Sequence, residues 1–398
     1  MGQDTSVDVH PVVHWTEGGD ARSGRWRSER GAQPPKRVVI ADDRITADDA
    51  YGLAGQGTAL LWRGDFQNAR QMLLALASRA DRKPRKPKGL AAPSTSPLRN
   101  EVSPSPAEVF NLLSQARSQR ARTLGMLLVP LDEDFGIPLR RAPDIRQACA
   151  EAYGPGEGPS VASLRELLGL IGAHEWRVKG IDIPAIGDRI HPHYGVFAPV
   201  RREYVDLVAN ARLPTSALSN GPAFDIGTGT GVLAAVLARR GVRRVVATDV
   251  DPRALACARD NLARLGLAER VEVVQADLFP EGRAALVVCN PPWIPARPSS
   301  PIERGIYDAE SGMLRGFLNG LCAHLEPEGE GWLILSDLAE HLGLRTRSEL
   351  LAAFDVAGLK VVGRSDVRPK HARASDATDP LHAARAAEVT SLWRLAVR

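Results

Sequence analysis

The chain has 398 residues, of which 44% are hydrophobic, and its 51 basic and 47 acidic side chains give a formal net charge of +4. This length and composition predict two or three domains with sizeable cores, and exclude a mini-protein held together by disulfides or metals. The near balance of charge permits a nucleic-acid partner but does not indicate one.

The cysteine pattern indicates neither a metal centre nor a disulfide framework. Cys149, Cys257, Cys289 and Cys322 are scattered, with none of the close pair spacings of zinc or redox motifs. No apolar run approaches the ~18 residues of a membrane span, and the N-terminus lacks the regions of a signal peptide. We therefore expect a cytoplasmic protein with reduced thiols, no metal and no membrane contact.

Four segments precede the region that carries the motifs. Residues 1–48 are polar and lack apolar periodicity, which predicts disorder. Residues 49–80 are predicted to be a helical segment, because apolar residues recur there at helical spacing. Residues 81–106 are predicted to be a basic, Pro- and Ser-rich linker, and residues 107–174 a smaller, mainly helical accessory domain. The helical stripe in the second segment is Phe66, Ala69, Met72, Leu73 and Leu76.

A basic run, R-A-D-R-K-P-R-K-P-K, marks the start of the linker at residues 79–88. Its six basic residues against one acidic residue would suit phosphate binding. A charged, solvated tether between domains has the same composition. The tether is the favoured interpretation.

A short hairpin is predicted from Trp176 to Ile190, where apolar and polar residues alternate. It leads into the domain predicted at residues 175–398 and is expected beside the mouth of its ligand site. His191 and His193 flank a proline just after it, as a metal pair could. Because no third histidine is near in sequence, an ordinary loop is favoured.

From Ala223 onward, short apolar strands alternate with amphipathic helices, which predicts a parallel sheet with crossover helices. The first strand runs into the loop D-I-G-T-G-T-G, residues 225–231. Its glycines allow a ligand to approach the backbone beside a helix N-terminus. A nicotinamide-binding loop would have its third glycine at position 232, which is Val232, so the spacing argues against NAD.

This loop resembles the first motif of the class I S-adenosylmethionine (SAM) dependent methyltransferases, an acidic residue followed by G-x-G-x-G. The resemblance implies an α/β fold with a seven-stranded, Rossmann-like sheet. It also implies SAM as the cofactor, with its methionine portion against the loop. The matching positions are Asp225, Gly227, Gly229 and Gly231.

Two further strand ends match the same family in order. Asp249 ends the second strand about twenty residues after the loop, where a carboxylate can accept both ribose hydroxyl protons. Asp251 is its competitor, but Asp249 lies closer to the strand end. By the resemblance, Asp277 after the third strand would bind the adenine amino group, and Leu278 would supply backbone and apolar contact.

The fourth strand, A-A-L-V-V-C, runs directly into Asn290, Pro291, Pro292 and Trp293. An amide or aromatic amine is a poor nucleophile while its lone pair is delocalised. The Asn290 side-chain oxygen and the Pro291 carbonyl can accept its two N–H hydrogens, and consecutive prolines fix the direction of that carbonyl. Trp293 can stack on the flat substrate group. The structural alternative is a Pro-Pro turn with Trp293 filling core space.

In this order, the motifs resemble those of the N-methyltransferases that carry N-P-P-[YFW], notably HemK-like release-factor glutamine methyltransferases and ribosomal-RNA amine methyltransferases. The resemblance covers residues 175–398. Trp293 replaces the tyrosine most typical of the release-factor enzymes. The segment H-Y-G-V-F-A-P-V-R only loosely resembles the I-P-R-P-E-T segment of the release-factor enzymes. It is at least as similar to the G-V-F segment of the ribosomal-RNA guanine methyltransferases. The acceptor nitrogen thus belongs either to a protein glutamine, as in a translation factor, or to an RNA base.

Two other functions compete with this one: a SAM-binding scaffold or regulator without turnover, and a small-molecule methyltransferase. After the motif, residues 296–308 are an irregular stretch predicted to cover the substrate. Glu303, Arg304 and Tyr307 are its candidate contacts. A helix over residues 312–324 and three later strands complete the predicted sheet.

Overall fold

The computed structural model describes residues 10–82, 104–219, 221–298, 302–369 and 376–398. The chain forms two compact units, unit 1 (Met1–Gly172) and unit 2 (Ala173–Arg398). Within the described ranges, no helix is both long and apolar enough to cross a membrane.

Unit 1 is built on one mixed sheet, with strand order β1-β2-β6-β5-β4-β3. Its strands are β1 (Val12–Glu17), β2 (Asp20–Arg27), β3 (Arg37–Ala41), β4 (Thr58–Trp62), β5 (Leu127–Leu131) and β6 (Ser160–Ser163). Its helices are α1 (Ala47–Gly55), α2 (Phe66–Ala80), α3 (Pro106–Leu124), α4 (Arg146–Tyr153) and α5 (Leu164–Lys179), which extends past Gly172. Unit 1 therefore has an α/β architecture, which differs from the mainly helical domain that the sequence predicts.

The β1–β2 hairpin lies where disorder is predicted, in residues 1–48. Its strands pair antiparallel on either side of Gly18 and Gly19, whose φ angles of 62° and 91° suit a two-residue turn. Val13 and Trp26 pack into a buried cluster with residues of β4, β5 and β6. Most other hairpin side chains are exposed, so a few buried residues hold these polar strands in the sheet.

The segment 49–80 contains a strand as well as helices. α2 buries most of the predicted stripe, namely Phe66, Ala69, Leu73 and Leu76. β4 precedes it and is buried along its whole length, because it pairs with β3 and β5 on its two sides. Of the predicted linker, residues 83–103 lie outside the described residues, as does most of its basic run.

Unit 2 is built on a second sheet, with strand order β11-β10-β9-β12-β13-β15-β14, and a separate hairpin, β7–β8. The strands are β7 (Ile181–Ile183), β8 (Asp188–Ile190), β9 (Ala223–Ile226), β10 (Val245–Asp249), β11 (Val271–Gln275), β12 (Ala284–Cys289), β13 (Leu325–Ser336), β14 (Leu359–Val367) and β15 (Thr390–Val397). The helices are α6 (Glu203–Asn210), α7 (Thr215–Ser219), α8 (Val232–Arg239), α9 (Pro252–Arg264), α10 (Gly312–His324), α11 (Leu338–His341), α12 (Arg347–Val356) and α13 (His382–Ala387).

The order of the strands reverses at β9. β10 and β11 lie on one side of it, β12 and β13 on the other, and all these neighbours pair in parallel. Ile226 and Cys289, the last residues of β9 and β12, are paired in the register. The loops that follow these two strands therefore start side by side, at the switch point where open α/β sheets bind ligands.

Two hydrophobic clusters cover the two faces of this sheet. One contains buried residues of α6 and α8, and the other contains buried residues of α10 and α12. β12 is buried at all six positions, which explains why its sequence is apolar without alternation. The predicted hairpin before the sheet is also present, but it is shorter than expected, because Trp176 still belongs to α5.

Candidate active site

A cavity of about 580 Å³ opens at the carboxyl edge of the unit 2 sheet. Ligand pockets commonly measure about 300–1,000 Å³, so this cavity is large enough for a nucleoside-sized ligand. The residues singled out from the sequence that line it are Gly227, Gly229, Asp249, Asp277, Leu278, Asn290 and Pro292, with Asp251 and Arg304. Those absent from its wall are Asp225, Gly231, Pro291, Trp293, Glu303 and Tyr307.

The glycine-rich loop joins β9 to α8 with a backbone that favours glycine. Gly227, Gly229 and Gly231 have φ angles of 69°, 55° and 80°. Gly227 and Gly229 face the cavity, whereas a methyl group at position 231 would come within 3.3 Å of Ala258 in α9. The first two glycines thus open the backbone to a ligand, and the third allows the loop to pack against a helix.

Asp225 lies beneath this loop, with 1% of its surface exposed. Its Oδ2 accepts hydrogen bonds from the Thr228 hydroxyl at 2.6 Å and from the Ala234 backbone N–H at 3.0 Å. Burial raises the pKa of this carboxyl to about 6, although both hydrogen bonds favour the ionised form. Asp225 therefore ties the loop to the first turn of α8, a supporting position that the motif alone does not reveal.

Asp249 stands between the loop and the start of α9. Its Oδ2 accepts the Gly229 N–H and its Oδ1 accepts the Asp251 N–H, each at 3.0 Å. Burial raises the pKa of Asp249 above its ordinary value. Asp251 is the N-cap of α9, where it accepts the Arg253 N–H at 2.9 Å. Both carboxylates reach the cavity, and both already accept backbone N–H groups, two at Asp249 and one at Asp251.

Asp277 and Leu278 follow β11 and form a third wall. Leu278 has a left-handed backbone, with a φ of 69°, which is unusual for a leucine and is held by a hydrogen bond from the Thr248 hydroxyl to its carbonyl. A methyl group at Gly316 of α10 would come within 2.6 Å of Leu278 Cδ1. A β-strand end and a helix thus fix the Leu278 side chain beside Asp277.

The motif after β12 brings Asn290 and Pro292 to the cavity. Pro291 is buried between them. Trp293 turns back toward the motif, and its indole N–H donates to Asn290 Oδ1 at 2.9 Å. The ring packs against both hydrophobic clusters of unit 2.

Two segments approach each other over the cavity. Gly195, Val196 and Phe197 line it from the N-terminal side, whereas no residue of the preceding hairpin, which was expected beside the site, belongs to the cavity wall. Gly305 lies close to Phe197, since a methyl group at position 305 would come within 2.6 Å of its Cβ. Arg304, next to Gly305, also lines the cavity.

Sequence reasoning missed several other lining residues, among them Tyr204 and Met313. Tyr204 is buried in α6, where it follows a helical apolar pattern, so its spacing carried no signal for a site. Met313 lies in the first turn of α10, and a methyl group on Gly227 would come within 2.4 Å of its Cε. Only the tertiary packing of α6 and α10 brings them to the loop.

The two histidines before the sheet have other partners than a metal. His193 Nε2 lies 3.0 Å from Asp260 Oδ2, and His191 Nδ1 lies 2.6 Å from the Arg177 carbonyl. Among the described residues, no group of three or more His, Cys, Asp or Glu side chains could hold a metal ion.

Asn261 of α9, which is 1% exposed, fastens this segment to the glycine-rich loop. Its Oδ1 accepts the His191 N–H at 2.8 Å, and its Nδ2 donates to the carbonyls of His191 and Thr230 at 3.2 and 3.1 Å. One buried amide thus fixes two segments of the cavity relative to each other.

Comparison with known protein families links this region to methyltransferases. Residues 189–341 match the family model described as the methyltransferase small domain. The ribosomal protein L11 methyltransferase of Pelotomaculum thermopropionicum is 53% identical over 72 residues, which are 18% of this chain and 23% of the relative. The release factor glutamine methyltransferase of Cereibacter sphaeroides is 33% identical over 162 residues, which are 37% of this chain and 56% of the relative.

Among solved structures, a SAM-dependent methyltransferase from Thiobacillus denitrificans, in complex with S-adenosyl-L-homocysteine, aligns with a TM-score of 0.34 and 17% sequence identity. The alignment covers 51% of this chain and 92% of that one.

The chain spans only part of the length of the curated relatives named above, 23% of one and 56% of the other. The region that matches the family model lies within unit 2.

Proposed function

We propose that this protein is a SAM-dependent methyltransferase that transfers a methyl group to a planar nitrogen. The observation that carries the proposal is that Asn290, Asp249 and the glycine-rich loop line one cavity at the switch point of the sheet. The match of residues 189–341 to the methyltransferase small domain and the two named relatives support the same chemistry.

The cofactor would lie across the ends of β9, β10 and β11. Its methionine portion would lie against the backbone at Gly227 and Gly229, and the Asp249 carboxylate would accept the two ribose hydroxyls; all three residues line the cavity. Asp277 would accept the adenine amino group, with Leu278 against the ring. Asp225 and Gly231 would act on the cofactor indirectly, through the shape of the loop.

The acceptor would lie at the end of β12. Asn290 Oδ1 and the Pro291 carbonyl are the two acceptors for its N–H hydrogens, and this orientation turns the nitrogen lone pair toward the methyl group. In the transfer, the sulfur–methyl bond would break as the nitrogen–carbon bond forms, and the nitrogen would release one proton, which passes to bulk solvent as the product leaves. SAM supplies the electrophilic methyl group, so the protein's part is to bind, orient and exclude water.

A protein amide is the favoured acceptor. The relative with the longer match, 33% identical over 162 residues, is named a release factor glutamine methyltransferase, and the other is named for a ribosomal protein. We therefore propose a glutamine side chain in a protein of the translation machinery. An exocyclic amine of an RNA base has the same planar geometry, and the experiment below distinguishes the two.

The test uses methyl-labelled SAM with the purified chain and a cell extract, which is then separated into protein, RNA and small molecules. We expect label in the protein fraction, on glutamine. In Asn290→Ala, transfer should fall by about 100-fold or more, because the acceptor loses a positioned hydrogen bond in the transition state. Binding of S-adenosylhomocysteine, measured by calorimetry, should change by less than about threefold.

The matched control is Asn210→Ala, which truncates an exposed asparagine at the end of α6 outside the cavity. It should leave both transfer and binding as in the wild type. Label in the RNA fraction would replace the protein acceptor with a base. If S-adenosylhomocysteine and SAM fail to bind the wild type, the proposed function is wrong; binding without transfer would indicate the scaffold instead.

A further inference from the structure

We infer that Trp293 positions Asn290 for catalysis and is itself held by Arg201 and Glu388, in place of the stacking role that the motif predicts. The inference rests on the proposed function, because it assigns Asn290 to the acceptor. It defines a chain of contacts from the residues just before β15 to the acceptor site. None of its outer members belongs to the motif.

The hydrogen bond between Trp293 and Asn290 fixes the orientation of the amide. An indole N–H can only donate, so the Asn290 atom that it contacts at 2.9 Å is the oxygen. A carbonyl oxygen has two lone pairs, and the second one stays available for an acceptor N–H. Without the indole, the Asn290 amide could rotate and present its NH₂ group, which repels an acceptor N–H.

The position of Trp293 does not suit a stacking surface. Its side chain is half-buried, packs against the clusters on both faces of the sheet, and is absent from the cavity wall. The ring therefore supports Asn290 from behind.

Arg201 holds the face of the Trp293 ring. Its guanidinium carbon lies 5.1 Å from the ring centroid, within the range of a cation–π interaction. Arg201 Nη2 also donates to Glu388 Oε1 at 2.9 Å. Arg201 thus joins the segment before α6 to the motif after β12.

Glu388 anchors the outer end of this chain of contacts. It lies between α13 and β15 and is 1% exposed. The Ser336 hydroxyl, at the end of β13, donates to the same Oε1 at 2.7 Å. Removal of the Arg201 guanidinium would leave the Glu388 carboxylate buried without a cation, which costs much free energy. Glu388 therefore holds Arg201 in one place.

The first test reads the hydrogen bond itself, without any substrate. In a nitrogen-15 NMR spectrum of the full chain, the indole signal missing from Trp293→Phe belongs to Trp293. We expect that signal to move upfield in Asn290→Ala and to stay in place in Asn210→Ala. An unchanged signal in Asn290→Ala would overturn the inference.

The second test separates positioning from stacking. Replacement of Trp293 by benzothienylalanine keeps the fused rings but removes the N–H. We expect the kcat for labelled methyl transfer to the acceptor fraction identified above to fall about tenfold in this variant and in Trp293→Phe, the loss expected for one catalytic hydrogen bond. The dissociation constant for S-adenosylhomocysteine should stay within about threefold of the wild type.

Arg201→Met should lower the same rate by a smaller factor, since it removes the charge and keeps the indole N–H. Trp15→Phe is the matched control, because it removes another half-buried indole N–H, donated to Glu17 in unit 1. It should leave the rate unchanged.

Wild-type transfer in the benzothienylalanine variant would establish stacking and refute positioning. If the wild type binds no SAM, the proposed function fails, whereas the NMR result still decides whether Trp293 orients Asn290.

Discussion

Thr228 donates its hydroxyl hydrogen to Asp225 Oδ2 at 2.6 Å, so the tip of the glycine-rich loop is tied to a carboxylate at the end of β9. The Ala234 N–H shares the same oxygen, which places the loop and the first turn of α8 on one acceptor. The loop is therefore held in shape before any ligand arrives.

The pH dependence of folding should report this buried carboxyl. Burial raises the pKa of Asp225 to about 6 in the folded protein, above its ordinary value of 3.8. The folded state then holds the proton more tightly than the unfolded state, so the contribution is present below about pH 4 and is lost as the pH rises through 6. Its size is about 3 kcal/mol, at 1.36 kcal/mol per pKa unit.

Urea denaturation of the wild type and Asp225→Asn at pH 5 and pH 7.5 measures this effect as a difference. Between pH 5 and pH 7.5, we expect the free energy of unfolding of the wild type to fall by roughly 1.4 kcal/mol relative to that of the variant. Thr228→Val removes a bond that favours the ionised form, so it should move the loss to higher pH. The same pH profile in wild type and Asp225→Asn would exclude a raised pKa.

Asp249→Asn should weaken the binding of S-adenosylhomocysteine by about 10- to 100-fold, the loss expected when hydrogen bonds to a charged acceptor are removed. Because the pKa of Asp249 is raised, wild-type affinity should also fall on acidification, and Asp249→Asn should lack this dependence. Calorimetry across pH 5 to 8 measures both effects. Asp251→Asn is the control, since asparagine still caps α9. If Asp251→Asn shows the larger loss, Asp251 is the ribose ligand.

Glycine substitutions should separate the binding and packing positions of the loop. Gly266→Ala sets the reference for backbone strain of about 1 kcal/mol, since its φ is 68° and no atom lies within 4 Å of the added methyl group. Gly229→Ala should cost the same stability but reduce cofactor affinity. Gly231→Ala should cost about 2 kcal/mol more, because its methyl group meets Ala258. Thermal unfolding measures the loss of stability, and calorimetry measures the loss of cofactor affinity. Equal losses in the Gly229 and Gly231 variants would contradict the assignment of one glycine to binding and the other to packing.

Asn261→Ala should destabilise unit 2 by about 3 kcal/mol, because it leaves the His191 N–H and two carbonyls without their partner. The exposed Asn210→Ala should stay within about 0.5 kcal/mol of the wild type. Hydrogen exchange gives a local readout, since the His191 amide should exchange faster in the variant. Unaltered protection of that amide would show that α9 does not hold the segment.

The positions at strand ends were predictable from sequence, since local periodicity locates a strand and its end. Gly227, Gly229, Asp249, Asp277 and Asn290 were all named in this way, and all line the cavity. Parallel strands bring their carboxyl ends to one edge, so residues far apart in sequence can be assigned to one site without any contact information.

The contacts behind the site were not predictable, because they depend on tertiary packing. The motif names an acidic residue at position 225 but does not tell whether its carboxylate faces the ligand or the loop. Trp293 and Arg201 belong to segments far apart in sequence. No local pattern predicts that pair.

Unit 1 shows a different limit of the sequence interpretation. The predicted disorder of residues 1–48 followed from their polarity, but Val13 and Trp26 bury enough surface to hold a polar hairpin against a core formed later in the chain. The Gly18-Gly19 pair was the local signal for that hairpin.

The pairing of Ile226 with Cys289 has a consequence for how this site can change. Successive residues of a strand point to opposite faces, so deletion of one residue within β12 would turn the Asn290 side chain away from the pocket. The distance between the methyl donor and the acceptor nitrogen is thus set by the alignment of β9 with β12. The two segments over the cavity, around residues 195–197 and 304–305, can vary in length and composition. Under the proposed function, a search for variants with new acceptors should therefore begin with those loops.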